Sequence, residues 1–505
     1  MQRVPQWTRF ELTFEGPPGL DNPLTGAAFP AIFESPDRTV QTRSAFWDGG
    51  RTWRVRFQPH QLGEWSYRIE GGPSGEFLCT SYSGENPLYR HGAIRVASGG
   101  AFFQHADGAP FFWHGDTVWN GPLKATLPDW SHFLADRAAK GFNVIQFVPT
   151  QWVAAAGNAD LRHAYIPGEE LRIDPAFFQW LDRRVDLINS FGMVACPAMI
   201  WSAPSKPWAL QMNPGTSLPE DQIGALAYYL VARYGAHHVA WMLAGDGDYR
   251  GELADRWQRI GRRVFEGNSH PVTMHPMGSI WVGDEFLAEP WYHFHGYQSS
   301  HWDNDESWRW ISHGPPSEKW KTGPHPIVNL EPCYEAHLDM TDRERPNRRA
   351  FDALDIRRAA YWSLLASPTA GVTYGAAGVW SWETTAQPPM NHVLTGIAPL
   401  WSEAMHLPGS TSMKVLNDIF RSIPWWTLRP APELILRQPA SAKAYIAAAK
   451  SETGLSLIYS PQPALIELAS NVRAGEWIDP STGSRQPAQF PFQTPGDGDW
   501  VLLLQ

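Results

Sequence analysis

The feature that most constrains the fold is a regular alternation of apolar and amphipathic segments through the middle of the chain. Apolar runs of strand length recur eight times, at residues 111–119, 142–149, 193–201, 239–244, 271–275, 291–297, 327–330 and 371–380. Amphipathic segments separate them, among others 130–140, 177–190 and 223–234. Apolar strands that alternate with helices are typical of parallel sheets built from βα units. Eight such units predict an α/β fold, a central (β/α)8 TIM barrel.

The two ends of the chain show a different pattern. Residues 10–14, 53–57 and 64–70 alternate between apolar and polar side chains, and Gly/Pro/Asp/Asn clusters separate them. Short apolar runs return after residue 410. Period-two patterning between turn residues is typical of antiparallel β-sandwiches. We therefore expect an N-terminal β-sandwich at 1–97, the barrel at 98–410 and a C-terminal β-sandwich at 411–505, since 505 residues exceed one ordinary core.

Composition excludes several classes of protein. A net charge of −10 leaves no basic stripe for nucleic acid. No apolar stretch is long enough to span a bilayer, and the N-terminus lacks the apolar region of a signal peptide. A cytoplasmic location is expected, or an extracellular or periplasmic one if the mature chain was trimmed. The sparse cysteines, three in number, give no disulfide framework, and no cofactor-binding motif is present. The oligomeric state is left open.

Two of the apolar runs end in a carboxylate. Trp241-Met-Leu-Ala-Gly-Asp246 belongs to the fourth strand, and Ile327-Val-Asn-Leu-Glu331 to the seventh. In a barrel both acids would emerge at the C-terminal rim, where catalytic residues lie. Two carboxyl groups about 5–5.5 Å apart are the apparatus of a retaining glycosidase. Taken alone, each acid fits a structural role better than a catalytic one, and it is their paired placement that favours catalysis. Asp248 and Glu335 are nearby rivals.

Polar and aromatic residues at the ends of other strands are candidates for binding a sugar. The set consists of His114, Asp116, Trp119, Gln146, Trp152, His275, His295, Gln298, Tyr374 and Trp380. Because side chains alternate along a strand, about half of them should face inward. His293 and His295 share one face of a strand and could bind a metal, but no third ligand is identifiable, so we expect no metal. The 27 Trp residues favour a carbohydrate partner, since indole faces pack well on sugar rings.

Several segments together resemble the apiosidase-like glycoside hydrolases. The first strand, Phe112-Trp-His-Gly-Asp116-Thr-Val-Trp119, is similar to the family's first-strand motif. The segment ending at Asp246 resembles Trp-x-x-Gly-Gly-Asp, with Ala244 in place of the first glycine. Further similar segments are Asn329-Leu-Glu331-Pro with Tyr334-Glu335, Ala370-Gly-Val-Thr-Tyr374-Gly and Ile423-Pro-Trp425-Trp426. The flanking sandwiches resemble the domain that often precedes this barrel and the collagen-binding-like domain that follows it.

The resemblance implies a retaining glycoside hydrolase with Asp246 as acid/base and Glu331 as nucleophile. The known activity in the family is the release of apiose from branched pectin side chains. Two alternatives stay open at this level. One is a glycosidase of the same fold that acts on another furanose or pyranose linkage, exo or endo. The other is a non-catalytic carbohydrate-binding protein on a hydrolase scaffold.

Overall fold

The central unit of the computed structural model is an eight-stranded parallel sheet. The structure describes residues 1–19, 22, 24, 29–203, 210–323, 325–469 and 472–505. The barrel strands are β1 (Trp113–Thr117), β2 (Val144–Phe147), β3 (Val194–Trp201), β4 (Trp241–Gly247), β5 (Val272–Pro276), β6 (His295–Gln298), β7 (Ile327–Glu331) and β8 (Gly371–Gly375). Their order is β5-β4-β3-β2-β1-β8-β7-β6. All eight lie within or beside the predicted apolar runs.

The first and last strands of this order, β5 and β6, lie next to each other. The backbone N–H of His293, just before β6, donates to the carbonyl of Val272 in β5 at 2.9 Å. Thr273 of β5 also donates its hydroxyl to Phe294 at 2.7 Å. The sheet therefore closes on itself, and the predicted TIM barrel is confirmed.

A helix follows each barrel strand and covers the outside of the sheet. In chain order these helices are Leu127–Ala139, Pro175–Ser190, Glu220–Tyr234, Glu252–Val264, Gly283–Phe286, Asp305–His313, Ala353–Leu365 and Pro408–Arg421. Several begin at a side-chain cap, because Thr126, Asp174 and Asp352 accept hydrogen bonds from the free backbone N–H groups of the first turn. The last of these helices, Pro408–Arg421, continues past residue 410, where we predicted the end of the barrel domain. The domain boundaries remain predictions.

Two sheets of the N-terminal region pack face to face. One has the order Gln2–Pro5, Ser74–Thr80, Gly63–Ile69, Pro30–Glu34 and Val40–Ser44, and the other consists of Phe10–Glu15, Thr52–Phe57 and Phe46–Trp47. Phe33 of the first sheet stacks on Phe57 of the second at 4.0 Å. The pairing is antiparallel except between the first two strands named, which are parallel. A small antiparallel sheet, Ile94–Val96, Phe103–His105 and Pro110–Phe111, leads into the barrel.

The C-terminal region is also built from strands. Its larger sheet has the order Arg429–Pro430, Ala447–Lys450, Ser456–Ser460, Trp500–Leu504, Ala474–Ile478 and Arg485–Gln489. A two-stranded sheet, Leu465–Ile466 with Phe492–Gln493, completes it. Ile458, Trp477 and Leu502 share one buried core with Phe492 of the small sheet. In the described residues, no helix combines the length and the apolar character that crossing a membrane requires.

Candidate active site

Asp246 lies near the end of β4 in an unusual backbone conformation. Its φ is +52°, in the left-handed region that residues with a side chain rarely adopt. The glycines on either side permit close packing of rings: a Cβ at Gly245 would lie 2.5 Å from Trp201, and one at Gly247 would lie 2.6 Å from Tyr249. The pairing of β4 with β5 is irregular at the same point. Strained backbone of this kind is concentrated at functional sites.

Glu331 ends β7 and is held by two histidines. Nε2 of His301 donates to Oε1 at 2.9 Å. Nε2 of His275 lies 3.2 Å from Oε2. Burial alone would raise the pKa of Glu331, but these two contacts lower the pKa to about 2. The group is therefore a carboxylate at neutral pH.

The other carboxyl group is driven in the opposite direction. Burial, and then the charge of Glu331, raise the pKa of Asp246 well above its ordinary value. Asp246 nevertheless keeps part of its surface exposed. The site thus offers one carboxylate, Glu331, and one carboxyl group, Asp246, whose pKa is raised in part by the charge of the first. This is the division of roles that acid-assisted displacement needs.

An aromatic wall adjoins the two acids. Trp201 lies against Gly245, and its ring approaches Trp119 at 5.2 Å and Trp152 at 4.4 Å. Trp119 also meets the ring of His275 edge-on at 5.4 Å. The wall continues through Trp380, whose ring lies 6.4 Å from that of Trp152. The predicted aromatic residues Trp119, Trp152 and Trp380 are therefore brought together with His275.

Some polar atoms of this wall are satisfied and others are not. Trp119 donates its indole N–H to the hydroxyl of Tyr334 at 3.1 Å, and Trp152 donates to Asn120 at 2.7 Å. The buried indole N–H groups of Trp201 and Trp380 have no hydrogen-bond partner within the described part of the chain. Buried donors of this kind suit a ligand that carries hydroxyl groups.

The two predicted glutamines occupy different positions. Gln298 ends β6 beside Glu331, with which it is in register, and its buried Oε1 has no partner among the described residues. Gln146 is fully buried inside the barrel, where its amide donates to Thr117 and to the carbonyl of Leu330 and accepts from Thr373. Gln298 is thus free to meet a ligand, whereas Gln146 cross-links four strands.

The structure places His114, Asp116 and Tyr374 on the outer face of the barrel. His114 stacks on Phe142 at 4.2 Å and contacts the carbonyl of Gly141 through Nδ1. Asp116 accepts from Arg137 of the surrounding helices at 2.5 Å. Tyr374, on β8, donates its hydroxyl to Glu335. All three residues are buried with partners other than the carboxyl pair, so their placement does not support the predicted sugar contacts.

His295 also lies away from the carboxyl pair. Its Nδ1 is 3.2 Å from the hydroxyl of Tyr292, and its ring packs near Trp281 and His325. Burial lowers the pKa of His295 to about 3. His295 is therefore a neutral packing residue. In the chain as described, no group of three or more His, Cys, Asp or Glu side chains is arranged to hold a metal ion.

The two rival acids have other partners. Asp248 is bound by Arg250 at 2.6 Å. Glu335 accepts the hydroxyl of Tyr374 at 2.6 Å and the N–H of Gly409 at 2.8 Å. The contacts of both acids are structural.

The sequence did not single out His301, Trp201 or Tyr334 as site residues. His301 follows β6 beyond Ser300, which has a φ of +85°. Burial, and then the charge of Glu331, keep the pKa of Tyr334 well above its ordinary value, so its hydroxyl stays protonated. Trp201 is the last residue of the predicted third strand, and this position at a strand end is the sequence feature that could have identified it as a site residue. Nothing in the local sequence marks His301.

Fold and site together define a glycoside hydrolase with a TIM-barrel catalytic domain. The sequence profile of the apiosidase-like catalytic domain matches residues 97–427. Because this match covers most of the chain, the protein belongs to the apiosidase-like family. A second profile, a domain of unknown function (DUF5060), matches residues 3–71 in the N-terminal sheets.

Solved structures share the fold. A glycoside hydrolase family 5 protein from Bacteroides vulgatus ATCC 8482 is 21% identical, with a TM-score of 0.71, over 82% of this chain and 94% of that chain. A structure titled glycoside hydrolase has the same identity and TM-score over 83% of this chain and 98% of that chain. Another Bacteroides vulgatus ATCC 8482 protein is 17% identical, with a TM-score of 0.71, over 100% and 99%. No curated protein matches the chain.

Proposed function

We propose that the protein cleaves a glycosidic bond in plant or microbial oligosaccharides with retention of anomeric configuration. The observation that carries the proposal is the pair of carboxyl groups at the ends of β4 and β7, with pKa values shifted in opposite directions. A retaining mechanism needs one carboxylate nucleophile and one carboxylic acid. Glu331 fits the first role and Asp246 the second.

In the first step, Glu331 attacks the anomeric carbon while Asp246 gives its proton to the leaving oxygen. The bond between the sugar and the leaving group breaks, and an ester joins Glu331 to the sugar. Formation of this ester removes the negative charge of Glu331, which had helped to raise the pKa of Asp246. The pKa of Asp246 then falls, which favours the carboxylate form that the second step needs.

In the second step, Asp246 takes a proton from a water molecule, and the water oxygen attacks the anomeric carbon. The ester bond breaks, and Glu331 leaves as a carboxylate. His275 and His301 stabilise that carboxylate through their contacts with its two oxygens. The site returns to its starting protonation state.

The family name makes apiose-terminated oligosaccharides the first substrates to test. The unpartnered N–H groups of Trp201 and Trp380 and the free Oε1 of Gln298 would orient the hydroxyl groups of the sugar. The faces of the surrounding indole rings would pack on its C–H groups. A different furanose or pyranose is the alternative substrate.

The direct test is turnover of aryl glycosides and oligosaccharides by wild type, Glu331→Gln and Asp246→Asn. We expect Glu331→Gln to lose nearly all turnover. Asp246→Asn should lose roughly 10²- to 10⁴-fold, least on substrates with an activated leaving group. Asp248→Asn is the matched control, since Asp248 lies two residues from Asp246 and binds Arg250, and it should keep near wild-type rates. Full activity in folded Glu331→Gln would refute the assignment.

A further inference from the structure

A large groove lies between the N-terminal sheets and the outside of the barrel. One wall is the edge strand Val40–Ser44, and the other is formed by the helix Glu220–Tyr234 and residues 264–270. Its volume is about 810 Å³, within the range of pockets that hold small ligands. Because residues 264–270 precede β5, this interdomain groove is at the opposite end of the barrel from Asp246 and Glu331.

The interdomain groove carries an excess of positive charge, although the chain as a whole has a net charge of −10. Arg43, Arg95 and Arg263 line it, and no carboxylate of the described chain lies within ion-pair distance of these three. Arg56 also reaches the groove, but Glu11 and Asp182 neutralise it. Glu266 is the one acid among the described lining residues. A surface with this charge favours an anionic ligand.

Arg43 is half-buried with donors to spare. It donates to the carbonyl of Thr42 at 2.9 Å and to Oε1 of Gln41 at 3.0 Å. A guanidinium carries five N–H donors, so several remain for a ligand. Burial lowers the pKa of Arg43, and no carboxylate opposes this effect. A bound carboxylate would supply the missing opposite charge.

His270 offers a complementary group, a buried acceptor. Its Nε2 donates to the carbonyl of Gly235 at 2.9 Å, while Nδ1 has no partner among the described residues. Burial, with a smaller contribution from the charge of Arg43, lowers the pKa of His270 to about 4. In the neutral ring, Nδ1 can only accept, so a ligand must bring a hydroxyl or amine donor to it.

We propose that the interdomain groove is an accessory site for an acidic oligosaccharide. Uronate carboxylates bind Arg43 and Arg263, and a sugar hydroxyl donates to Nδ1 of His270. Tyr228, which is 43% exposed on the barrel wall of the groove, offers a ring face to the saccharide. The site holds a glycan on the enzyme without taking part in the cleavage step.

The test is calorimetric titration of the full-length protein with trigalacturonate, its carboxyl-reduced neutral counterpart and inorganic phosphate. The double variant Arg43→Gln/Arg263→Gln should weaken trigalacturonate binding at least tenfold. Arg68→Gln is the matched control, because Arg68 is exposed on the same N-terminal sheet but does not line the groove. Trp201→Ala, which changes the aromatic wall beside Asp246, should bind trigalacturonate like wild type, and this result separates the groove from the active site.

The proposal is supported if trigalacturonate binding weakens in the double variant but not in Arg68→Gln. In addition, wild type must bind the neutral trisaccharide at least tenfold more weakly than trigalacturonate. Equal binding by the double variant, or no binding to wild type, would overturn it. Equal affinity for inorganic phosphate would show a simple anion site and overturn the saccharide assignment. Loss of trigalacturonate binding in Trp201→Ala would place the ligand in the active site and overturn the proposal as well.

Discussion

At the scale of single residues, the proposed mechanism rests on the difference between two carboxyl groups. His275 and His301 hold Glu331 ionised, and Glu331 in turn helps to hold Asp246 protonated. In the proposed mechanism, the same negative charge belongs to the nucleophile and helps to keep the proton on the acid. A change in either carboxyl group should be measurable at the other.

We expect Glu331→Gln to lower the pKa of Asp246 toward its ordinary value, because the neighbouring negative charge is removed. Burial remains, so the fall should be partial. Carbon-13 NMR of aspartate-labelled protein across a pH series measures the pKa of Asp246. The variant Asp248→Asn removes the signal of the neighbouring Asp248, so the two signals are not confused. An unchanged pKa of Asp246 would mean that the two groups are not coupled.

His301 should set the acid limit of activity. Without its N–H, Glu331 protonates at higher pH, so His301→Leu should move the acid limb of kcat/KM upward by about one pH unit or more. His301→Gln retains a donor and should restore part of the difference. His132→Asn, an exposed histidine on the helix Leu127–Ala139, is the control. If the leucine variant keeps the wild-type pH profile, His301 does not position the nucleophile.

At the scale of elements, the orientation of β1 decides which of its side chains face the barrel interior and which face the surrounding helices. Inside the barrel, Trp113 donates its indole N–H to Thr373 of the neighbouring strand β8, and Thr117 accepts from Gln146 of β2. The residues between them alternate, so His114 and Asp116 face the helices. The sequence predicted the strand itself, because an apolar run identifies a buried strand. It could not predict this orientation, since both faces of a barrel strand are buried.

Asp116→Asn should therefore affect stability rather than chemistry. It removes the charge that pairs with Arg137 between sheet and helices, which should cost about 3 kcal/mol in the free energy of unfolding. Urea unfolding measures this loss, and KM at a temperature where the variant is folded should be unchanged. A large rise in KM with wild-type stability would return Asp116 to the substrate site.

The loops after the strands carry the part of the site that was hardest to predict. Positive φ angles occur at Ser279, Ser300, Ala336 and Trp382, after β5, β6, β7 and β8 respectively. His301 follows Ser300, and its ring packs near Tyr334 and His337 of the loop after β7, each at 4.5 Å, so its surroundings come from residues distant in sequence. The carboxylates were predictable because each ends an apolar strand, whereas His301 lies in a loop without such a pattern.

At the scale of the whole molecule, buried ion pairs fasten the flanking sheets to the barrel. Asp182, on a barrel helix, binds Arg56 of the N-terminal sheets at 2.6 Å and Arg233 at 2.7 Å. On the other side, Arg357 binds Asp499 of the C-terminal sheet. The sequence predicted the barrel and its flanking sheets, but charges more than 100 residues apart carry no local pattern that identifies them as partners.

Asp182→Asn should destabilise the protein by about 3 kcal/mol or more, because two buried guanidinium groups lose a shared carboxylate. The two arginines lower the pKa of Asp182 far below its ordinary value, despite burial. Its contribution is therefore present above about pH 4 and is lost as pH falls toward the folded pKa. Asp418→Asn breaks an exposed helical pair and is the control, with a change of at most about 1 kcal/mol. Equal unfolding curves for both variants would contradict the role of the cluster.

The central claim is that Glu331 forms a covalent bond with the sugar. The most direct measurement is peptide mass spectrometry after incubation with a 2-deoxy-2-fluoro glycoside of the sugar that the enzyme releases, which slows hydrolysis of the intermediate. We predict a glycosyl adduct on the peptide that contains Glu331, together with a first product of retained configuration by NMR. An inverted product with no adduct, or an adduct on another carboxylate, would contradict the account.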